Sequence, residues 1–211
     1  MVDFRFIAEK YIFGRHGYRH PPYEPLVKKA LLKIKGDLFV DVGANEGRYC
    51  IMLRKNFSNI IAFEPNIMFD PPCNLLSRVA LSNHFGEAMF YLNSSNGSSN
   101  TLIEKFRYNP GYDRNMAVRQ VFTTQRKVLV KTSTYDMMIG NMADLVKIDV
   151  EGAEFLVLDG MKLSLKNAMV KNVLVELHDV DKEQDLLDLF SKYSLKATKI
   201  DDHPHWLGSL S

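Results

Sequence analysis

Cysteine is scarce in this sequence. Cys50 and Cys73 are the only two in 211 residues, and they show no metal-type spacing. Two thiols cannot staple a small scaffold, so a disulfide framework and a zinc ribbon are both excluded. An excess of one charge is missing too. The 27 Lys and Arg nearly balance the 25 Asp and Glu, leaving +2, which is not the signature of a uniformly basic nucleic-acid binder. No apolar run approaches the roughly 20 residues that cross a bilayer. At the N-terminus, Asp3, Arg5, Glu9 and Lys10 interrupt any apolar signal core, so a soluble, cytoplasmic protein is expected. No repeat or linker divides the chain. With 46% hydrophobic residues, it is expected to fold as one domain over residues 1–211 with a real core.

What the sequence does have is the stretch Leu-Phe-Val-Asp-Val-Gly-Ala-Asn-Glu-Gly-Arg-Tyr at 38–49. The apolar run at 38–40 reads as a buried strand, and the spacing after the turn reads as a helix. Strand, glycine-bearing turn and helix make the first half of a nucleotide-binding βαβ unit. Gly43 and Gly47 suit positive φ, and Asn45 tolerates it. The dinucleotide fingerprint wants G-x-G-x-x-G. Here Asn45 stands in place of the middle glycine, and the last glycine comes one residue early. Asp41 at the strand end would also repel a pyrophosphate. A cationic ligand without phosphate fits better, and S-adenosylmethionine is one. Glu64 lies 23 residues beyond Asp41, after the apolar run Ile-Ile-Ala-Phe at 60–63. That is where an acid gripping two ribose hydroxyls is expected. The alternative is a tight βα turn with no ligand.

Along the chain, 4–13 has a weak helical pattern, and 14–23 is a loop carrying two arginines, two histidines and two tyrosines. That loop is either a solvated connector or a lip over an acceptor; with it, 1–35 forms an N-terminal helical and loop segment. Residues 24–35 form an amphipathic helix with Pro25 near its start and Gly36 at its stop. Helices are also predicted at 47–56, 135–142, 155–161 and 181–193. Strands are predicted at 60–63, 77–81, 88–92, 127–132, 145–149, 172–178, 197–200 and 205–210. Pro65, Pro71 and Pro72 resist helix, so the crossover after Glu64 is irregular. The stretch 93–127 opens on a polar run and then places Lys105, Arg107, Arg114, Arg119, Arg126 and Lys127 against Glu104 and Asp113. It reads as a locally basic lid insertion. Strands alternating with helices predict an α/β fold, with a mostly parallel sheet and helices on both faces.

In such a sheet, ligands sit beyond the carboxyl ends of the strands. Four ends carry polar groups: Asp41, Glu64, Asp149 with Glu151, and Glu176 with His178. Each alone has an ordinary structural reading; Glu151 would cap a helix, Asp149 would brace a glycine turn. Their convergence is the functional signal.

These segments together resemble a known family. Asp-Val-Gly-Ala-Asn-Glu-Gly at 41–47, Ala-Phe-Glu-Pro at 62–65, Val-Ala-Leu-Ser-Asn at 79–83, Lys-Ile-Asp-Val-Glu-Gly-Ala-Glu at 147–154 and Val-Glu-Leu-His at 175–178 are similar to the FkbM-type S-adenosylmethionine-dependent methyltransferases. The resemblance runs from about Gly36 to the C-terminus. It implies a Rossmann-like class I methyltransferase sheet of seven strands, the last antiparallel, and methyl transfer to an oxygen, commonly on a sugar or polyketide. Two departures stand out: Asp70-Pro71-Pro72 replaces a regular crossover helix, and neither the N-terminal segment nor the basic insertion has a counterpart.

The expected site follows. Asp41, Gly43, Ala44, Asn45, Gly47 and Glu64 serve the cofactor S-adenosylmethionine, with Ala80 and Leu81 at its adenine. Asp149, Glu151 and His178 align the acceptor and take its proton. A second reading of the last group is a divalent metal on Asp149, Glu176 and His178, although no metal is assigned. The acceptor is expected to be a hydroxyl on a sugar, glycan, lipid head group or other small molecule, and the basic insertion hints that it is anionic. Rival functions are an RNA methyltransferase, which lacks the expected aromatic-basic recognition elements, a nicotinamide oxidoreductase, and a non-catalytic cofactor-binding protein.

Overall fold

The structure, a computed structural model, describes residues 24–92, 100–104 and 126–210. The segments expected at 4–13 and 14–23, and most of the 93–127 insertion, lie outside the described residues.

Seven strands form the main sheet. In chain order they are β1 (Gly36–Val42), β2 (Phe57–Phe63), β3 (Leu75–Ser77), β7 (Leu145–Ile148), β8 (Asn172–Glu176), β9 (Leu195–Lys199) and β10 (His205–Leu210). Their spatial order is β3-β2-β1-β7-β8-β10-β9. All neighbours run parallel except β10, which is antiparallel to both β8 and β9. This is the sheet that the family resemblance implies, seven strands with the last one antiparallel. The order reverses at β1, where the next strand in sequence lies on one side and β7 on the other, so the strand ends there open into a crevice. A second sheet of three strands, β4 (Ala80–Leu81), β6 (Arg126–Ser133) and β5 (Gly86–Leu92), flanks it.

Side chains alternate across the main sheet, as strand geometry requires. Leu38, Val40 and Val42 of β1 pack with Val146, Ile148, Val173 and Val175 on one face. There they meet α4 (Glu154–Asp159), α5 (Lys162–Lys166) and α6 (Glu183–Lys192) through Val157, Leu165 and Phe190. Phe39, Leu145 and Leu174 face the other way, onto α1 (Pro25–Leu31) and α2 (Arg48–Leu53). Burying each such side chain contributes roughly 1.5–3 kcal/mol, and two-sided burial explains why these strands read as continuous apolar runs.

Several expectations shift at their edges. The strand expected at 77–81 is divided: Leu75–Ser77 pairs with β2, and Ala80–Leu81 joins the second sheet beside β6. Between them, the Arg78 guanidinium donates to the carbonyls of Glu64, Asn66 and Phe69, which turns the chain out of the first sheet. The helix expected at 135–142 ends at Met138 as α3 (Tyr135–Met138), before Gly140. The crossover from β2 to β3 contains no helix. Pro71 and Pro72 instead cover the glycine turn so closely that a Cβ on Gly47 would stand 2.6 Å from Pro71 Cβ.

Candidate functional site

A cavity of about 240 Å³ opens at the carboxyl ends of β1, β2 and β7. Its two ends are built differently.

At one end lies the turn after β1. Gly43, Asn45 and Gly47 all have positive φ, at 77°, 49° and 78°. Gly43 has a second constraint, since a Cβ there would sit 1.9 Å from the Asp149 carbonyl oxygen. Each amide from 43 to 47 is spent inside the protein. Gly43 and Ala44 donate to the Phe63 carbonyl, Asn45 to Glu64 Oε2, Glu46 to Asn45 Oδ1, and Gly47 to the Ala44 carbonyl. A phosphate cradle needs such amides aimed at the ligand. This turn has none to give, which weighs against a pyrophosphate ligand.

Glu64 lines the cavity. Its two carboxylate oxygens each accept one backbone amide, from Asn45 and from Asn66, both at 2.8 Å. Each oxygen keeps a further lone pair for a ligand hydroxyl. Burial pushes the Glu64 carboxyl up, and those two amide bonds oppose the shift. Ala80 and Leu81 form an apolar wall beside it. Gly43, Ala44 and Asn45 also line the cavity.

Asp41 sits elsewhere. It is fully buried and is not among the residues lining the cavity. Its place in the strand explains this. Asp41 shares the face of Phe39, so it points under α2 and not out of the strand end. There it meets its register neighbour on β7, Lys147, whose Nζ lies 3.6 Å away, and it accepts from the Cys50 thiol at 3.3 Å. Burial holds the Asp41 carboxyl above its ordinary value against the pull of Lys147. Of the two acids expected to hold the ligand, only Glu64 reaches the cavity.

Lys147 is the residue that sequence reasoning missed. It opens the block at 147–154 that carries the family resemblance, but no role was expected of it. It is buried, lines the cavity, donates to Asp149 Oδ2 at 3.0 Å and lies over the Tyr49 ring at 4.8 Å. Burial alone would lower its pKa, but Asp149 and Asp41 outweigh that and hold it charged. The same ammonium keeps Asp149 below the usual carboxylate range in spite of burial.

At the other end of the cavity stand Asp149, Glu151 and Glu176. Glu151 has φ 55°, the left-handed conformation, in the turn between β7 and α4. His178 does not line the cavity; it stands behind Glu151. Its Nε2 lies 3.2 Å from Glu151 Oε2, and its Nδ1 lies 3.0 Å from Glu154 Oε1. A ring with both nitrogens against carboxylates is an imidazolium. Burial opposes the charge, but Glu154, Asp149 and Glu151 raise the His178 pKa to about 10. Glu151 goes the other way: burial pushes its carboxyl up to about 8, with His178 opposing. The carboxylate, and not the histidine, is therefore the group poised to exchange a proton near neutral pH. Glu154 was not singled out from the sequence. It is fully buried, and its Oε1 also accepts from the Gly152 amide at 2.8 Å, so it fixes both the turn and the histidine.

The metal trio considered from the sequence divides in two. Asp149, Glu151 and His178 form one tight group, while Glu176 falls in with His203 and His205 from the chain entering β10. The described remnant of the insertion also reaches the cavity. Thr101 pairs with Tyr91 in an antiparallel bridge, and this brings Asn100 and Leu102 to its wall.

Comparisons with known proteins identify the family. The methyltransferase FkbM domain matches residues 41–210. The hexuronic acid methyltransferase AglP of Haloferax volcanii is 29% identical over 183 residues, covering 78% of this chain and 66% of its own. A solved methyltransferase FkbM from Methylobacillus flagellatus aligns at 12% identity and TM-score 0.49, covering 86% of this chain and 50% of that one. An rRNA methylase from Streptococcus thermophilus aligns at 9% identity and TM-score 0.47, covering 91% and 100%. The chain thus spans just under two thirds of the archaeal relative and half of the Methylobacillus protein. No described helix is long and apolar enough to cross a membrane. Because the matching region starts at Asp41 and ends at Leu210, it takes in the turn, Glu64 and the Lys147 to Glu154 block, and the chain belongs to the FkbM methyltransferase domain family.

Proposed function

We propose that this chain transfers the methyl group of S-adenosylmethionine to a hydroxyl of a sugar or glycan. The observation that carries the reading is Glu64: a carboxylate facing the cavity, held by two backbone amides, beside a turn with no amide left for a phosphate. That end suits a ribose diol and a phosphate-free nucleoside. Ala80 and Leu81 supply the apolar surface an adenine needs, and the bare backbone at Gly43 lets the ligand approach. When bound, S-adenosylmethionine supplies an electrophilic methyl group.

The rest is the work of this chain. Glu151 faces the cavity with a raised pKa, so it accepts the hydroxyl proton as the new carbon–oxygen bond forms and the carbon–sulfur bond breaks. His178, cationic between Glu154 and Glu151, fixes the Glu151 carboxylate and stabilises its ionised form. Asp149, neutralised by Lys147, positions the acceptor by hydrogen bonding. Asn100 and Leu102 help to exclude water. The Haloferax volcanii relative is named for hexuronic acid; by analogy the acceptor here carries a carboxylate, for which Arg48 on the cavity wall and the basic insertion are the cationic groups.

The test is in two parts. Calorimetry with S-adenosylhomocysteine is expected to show binding that Glu64→Ala removes. Incubation with a deuterated methyl donor and a panel of uronate-containing glycans is expected to place the label on a sugar hydroxyl. A folded protein that binds no S-adenosylhomocysteine, or one that labels only RNA, would overturn the proposal.

A further inference from the structure

A second constellation of polar groups stands beside the cavity, and the methyl-transfer chemistry makes no use of it. Glu176 ends β8, and its register partner His205 begins β10. His203 lies two residues earlier. One ligand-type atom from each of Glu176, His203 and His205 falls within 4.8 Å of the others.

His205 is the informative member. Its side chain is only 2% exposed. Nδ1 lies 3.0 Å from both carboxylate oxygens of Asp201. A carboxylate only accepts, so Nδ1 carries a proton and donates to it. With Nδ1 committed to Asp201, Nε2 is the atom left to face Glu176 and Glu24; it is buried and makes no hydrogen bond, and it sheds the proton that those carboxylates favour when a cation takes its place. It points between Glu176 Oε2 at 3.4 Å and Glu24 Oε2 at 3.7 Å. His178 makes the contrast: there both ring nitrogens reach carboxylates at 3.0 and 3.2 Å. At His205 the acids are close enough to share something, but not in a geometry that makes a hydrogen bond.

We propose that Glu176, His203 and His205 bind a divalent transition-metal ion, with Asp201 orienting His205. Three points carry this. A cation about 2.1 Å from each ligand spaces tetrahedral neighbours by roughly 3.4 Å, which is the separation of His205 Nε2 from Glu176 Oε2. A histidine whose far nitrogen donates to a carboxylate is the usual outer support of a metal-bound imidazole. Two imidazoles and one carboxylate favour zinc or a metal that mimics it, such as cobalt, over magnesium and calcium, which prefer all-oxygen sets. His203 Nδ1 stands 3.7 Å from Glu176 Oε1, and this side chain, at 36% exposure, is the one with room to close on the ion. Glu24 is placed to add a fourth oxygen. It holds a left-handed backbone at φ 45°, and its carboxylate also accepts from the Tyr49 hydroxyl. Through Glu176 the ion would share a wall with the cavity, although its binding does not depend on methyl transfer.

Cobalt(II) titration of the tag-free protein tests this, read by visible ligand-field absorption with zinc(II) as competitor. One equivalent is expected to bind and zinc to displace it. His203→Ala should abolish the cobalt spectrum, and Asp201→Asn should weaken binding by about 10–100-fold. Glu151→Gln should change it by less than about 3-fold, because that residue belongs to the neighbouring cluster. His205 lies in the sheet, so His203→Ala and Asp201→Asn, both nearer the surface, carry the test, with thermal melts showing that each variant is folded. His16 and His20 lie outside the described residues, and a signal lost in His16→Ala/His20→Ala but kept in His203→Ala would overturn the assignment. So would absence of one-to-one cobalt binding below about 100 µM, a concentration at which a three-ligand site is expected to be filled, or a signal abolished by Glu151→Gln.

Discussion

The two ends of the cavity differ in what builds them. The end at Gly43 to Gly47 and Glu64 is made of backbone: positive φ angles, amides closed on neighbouring oxygens, and one carboxylate pinned by two amides. The end at Asp149, Glu151 and Glu176 is made of side-chain charge, set by Lys147 on the wall and by His178 and Glu154 behind it. A backbone site is rigid and takes one ligand shape. A charge site is tunable, because each pKa depends on neighbours that can be exchanged without moving the chain. The first suits a constant donor and the second a variable acceptor, and the proposed division of labour follows from that.

The largest effect should come from breaking the backbone end. In Gly43→Val the side chain would enter the space of the Asp149 carbonyl, 1.9 Å from the built Cβ position, while φ 77° adds strain. Loss of S-adenosylhomocysteine binding by more than about 1,000-fold is expected, with a lowered melting temperature; near-normal calorimetric binding would show that the turn is softer than described. The next largest should come from the hinge between the two ends. Lys147→Met strands the buried carboxylate of Asp41, and that of Asp149 at the cavity wall, without their cation. Removing one partner of a buried pair costs about 3–5 kcal/mol, readable as a lower urea midpoint. Asp41→Asn/Lys147→Met should recover part of that loss, and a double variant no better than the single one would mean that Asp149 carries the whole penalty.

This contrast also explains what was legible in the sequence. The turn from Asp41 to Gly47 is contiguous, and Glu64 follows from a fixed spacing across one βα unit, so the residues that build that end stand out in the sequence, although Asp41 and Gly47 do not line the cavity. The sheet could be read too, because two-sided burial leaves unmistakable apolar runs. The burial of Asp41 is harder to read. A strand-end carboxylate looks available in one dimension, but pleat parity places it with Phe39, beneath α2 and opposite Lys147. Lys147, Glu154 and His205 were invisible as functional residues: each has a near partner in Asp149, Gly152 or Asp201, but the partners that give it a role, Asp41, His178 and Glu176, come from other elements and no spacing connects them. The division of the strand expected at 77–81 depends on Arg78 finding three carbonyls in the irregular crossover, a contact that no periodicity encodes.

Two variants of intermediate effect sharpen the comparison. Glu64→Gln keeps the shape but loses the charge and one acceptor, so donor binding should weaken by about 10–100-fold, matching one charge-assisted hydrogen bond of roughly 1.5–3 kcal/mol. At the opposite end Glu151→Gln should leave donor binding intact and change the pH profile. With the Glu151 pKa raised by burial to about 8, kcat/KM should rise with pH and level off above about 8, and the variant should lose that limb. Stability should move the opposite way. Protonated Glu151 favours the fold fully below its ordinary value near 4.5, and that contribution is lost as pH rises through about 8. Glu151→Gln should therefore gain on the parent in melts run at increasing pH, and parallel curves from pH 5 to pH 9 would remove Glu151 as the titrating group.

The smallest effect belongs to Arg78, and it asks how far the rigidity of the backbone end depends on what lies behind it. Its guanidinium, 36% exposed, gathers the carbonyls of Glu64, Asn66 and Phe69. Its side chain does not line the cavity, so its influence passes through the Glu64 carbonyl that it bonds and the Asn66 amide that holds the Glu64 carboxylate. Arg78→Ala leaves those carbonyls to water, which is inexpensive at a half-exposed site, and loosens the segment between β2 and β3. A loss of about 3–10-fold in donor affinity is expected, of the size of one net hydrogen bond, with kcat unchanged. Arg78→Lys should recover part of the loss, because all three carbonyls gather on the single nitrogen Nη1 and an ammonium also brings its donors to one point. If Arg78→Ala binds the donor as the parent does, the two amides on Glu64 suffice to hold it, and the backbone end is more self-contained than the charged one.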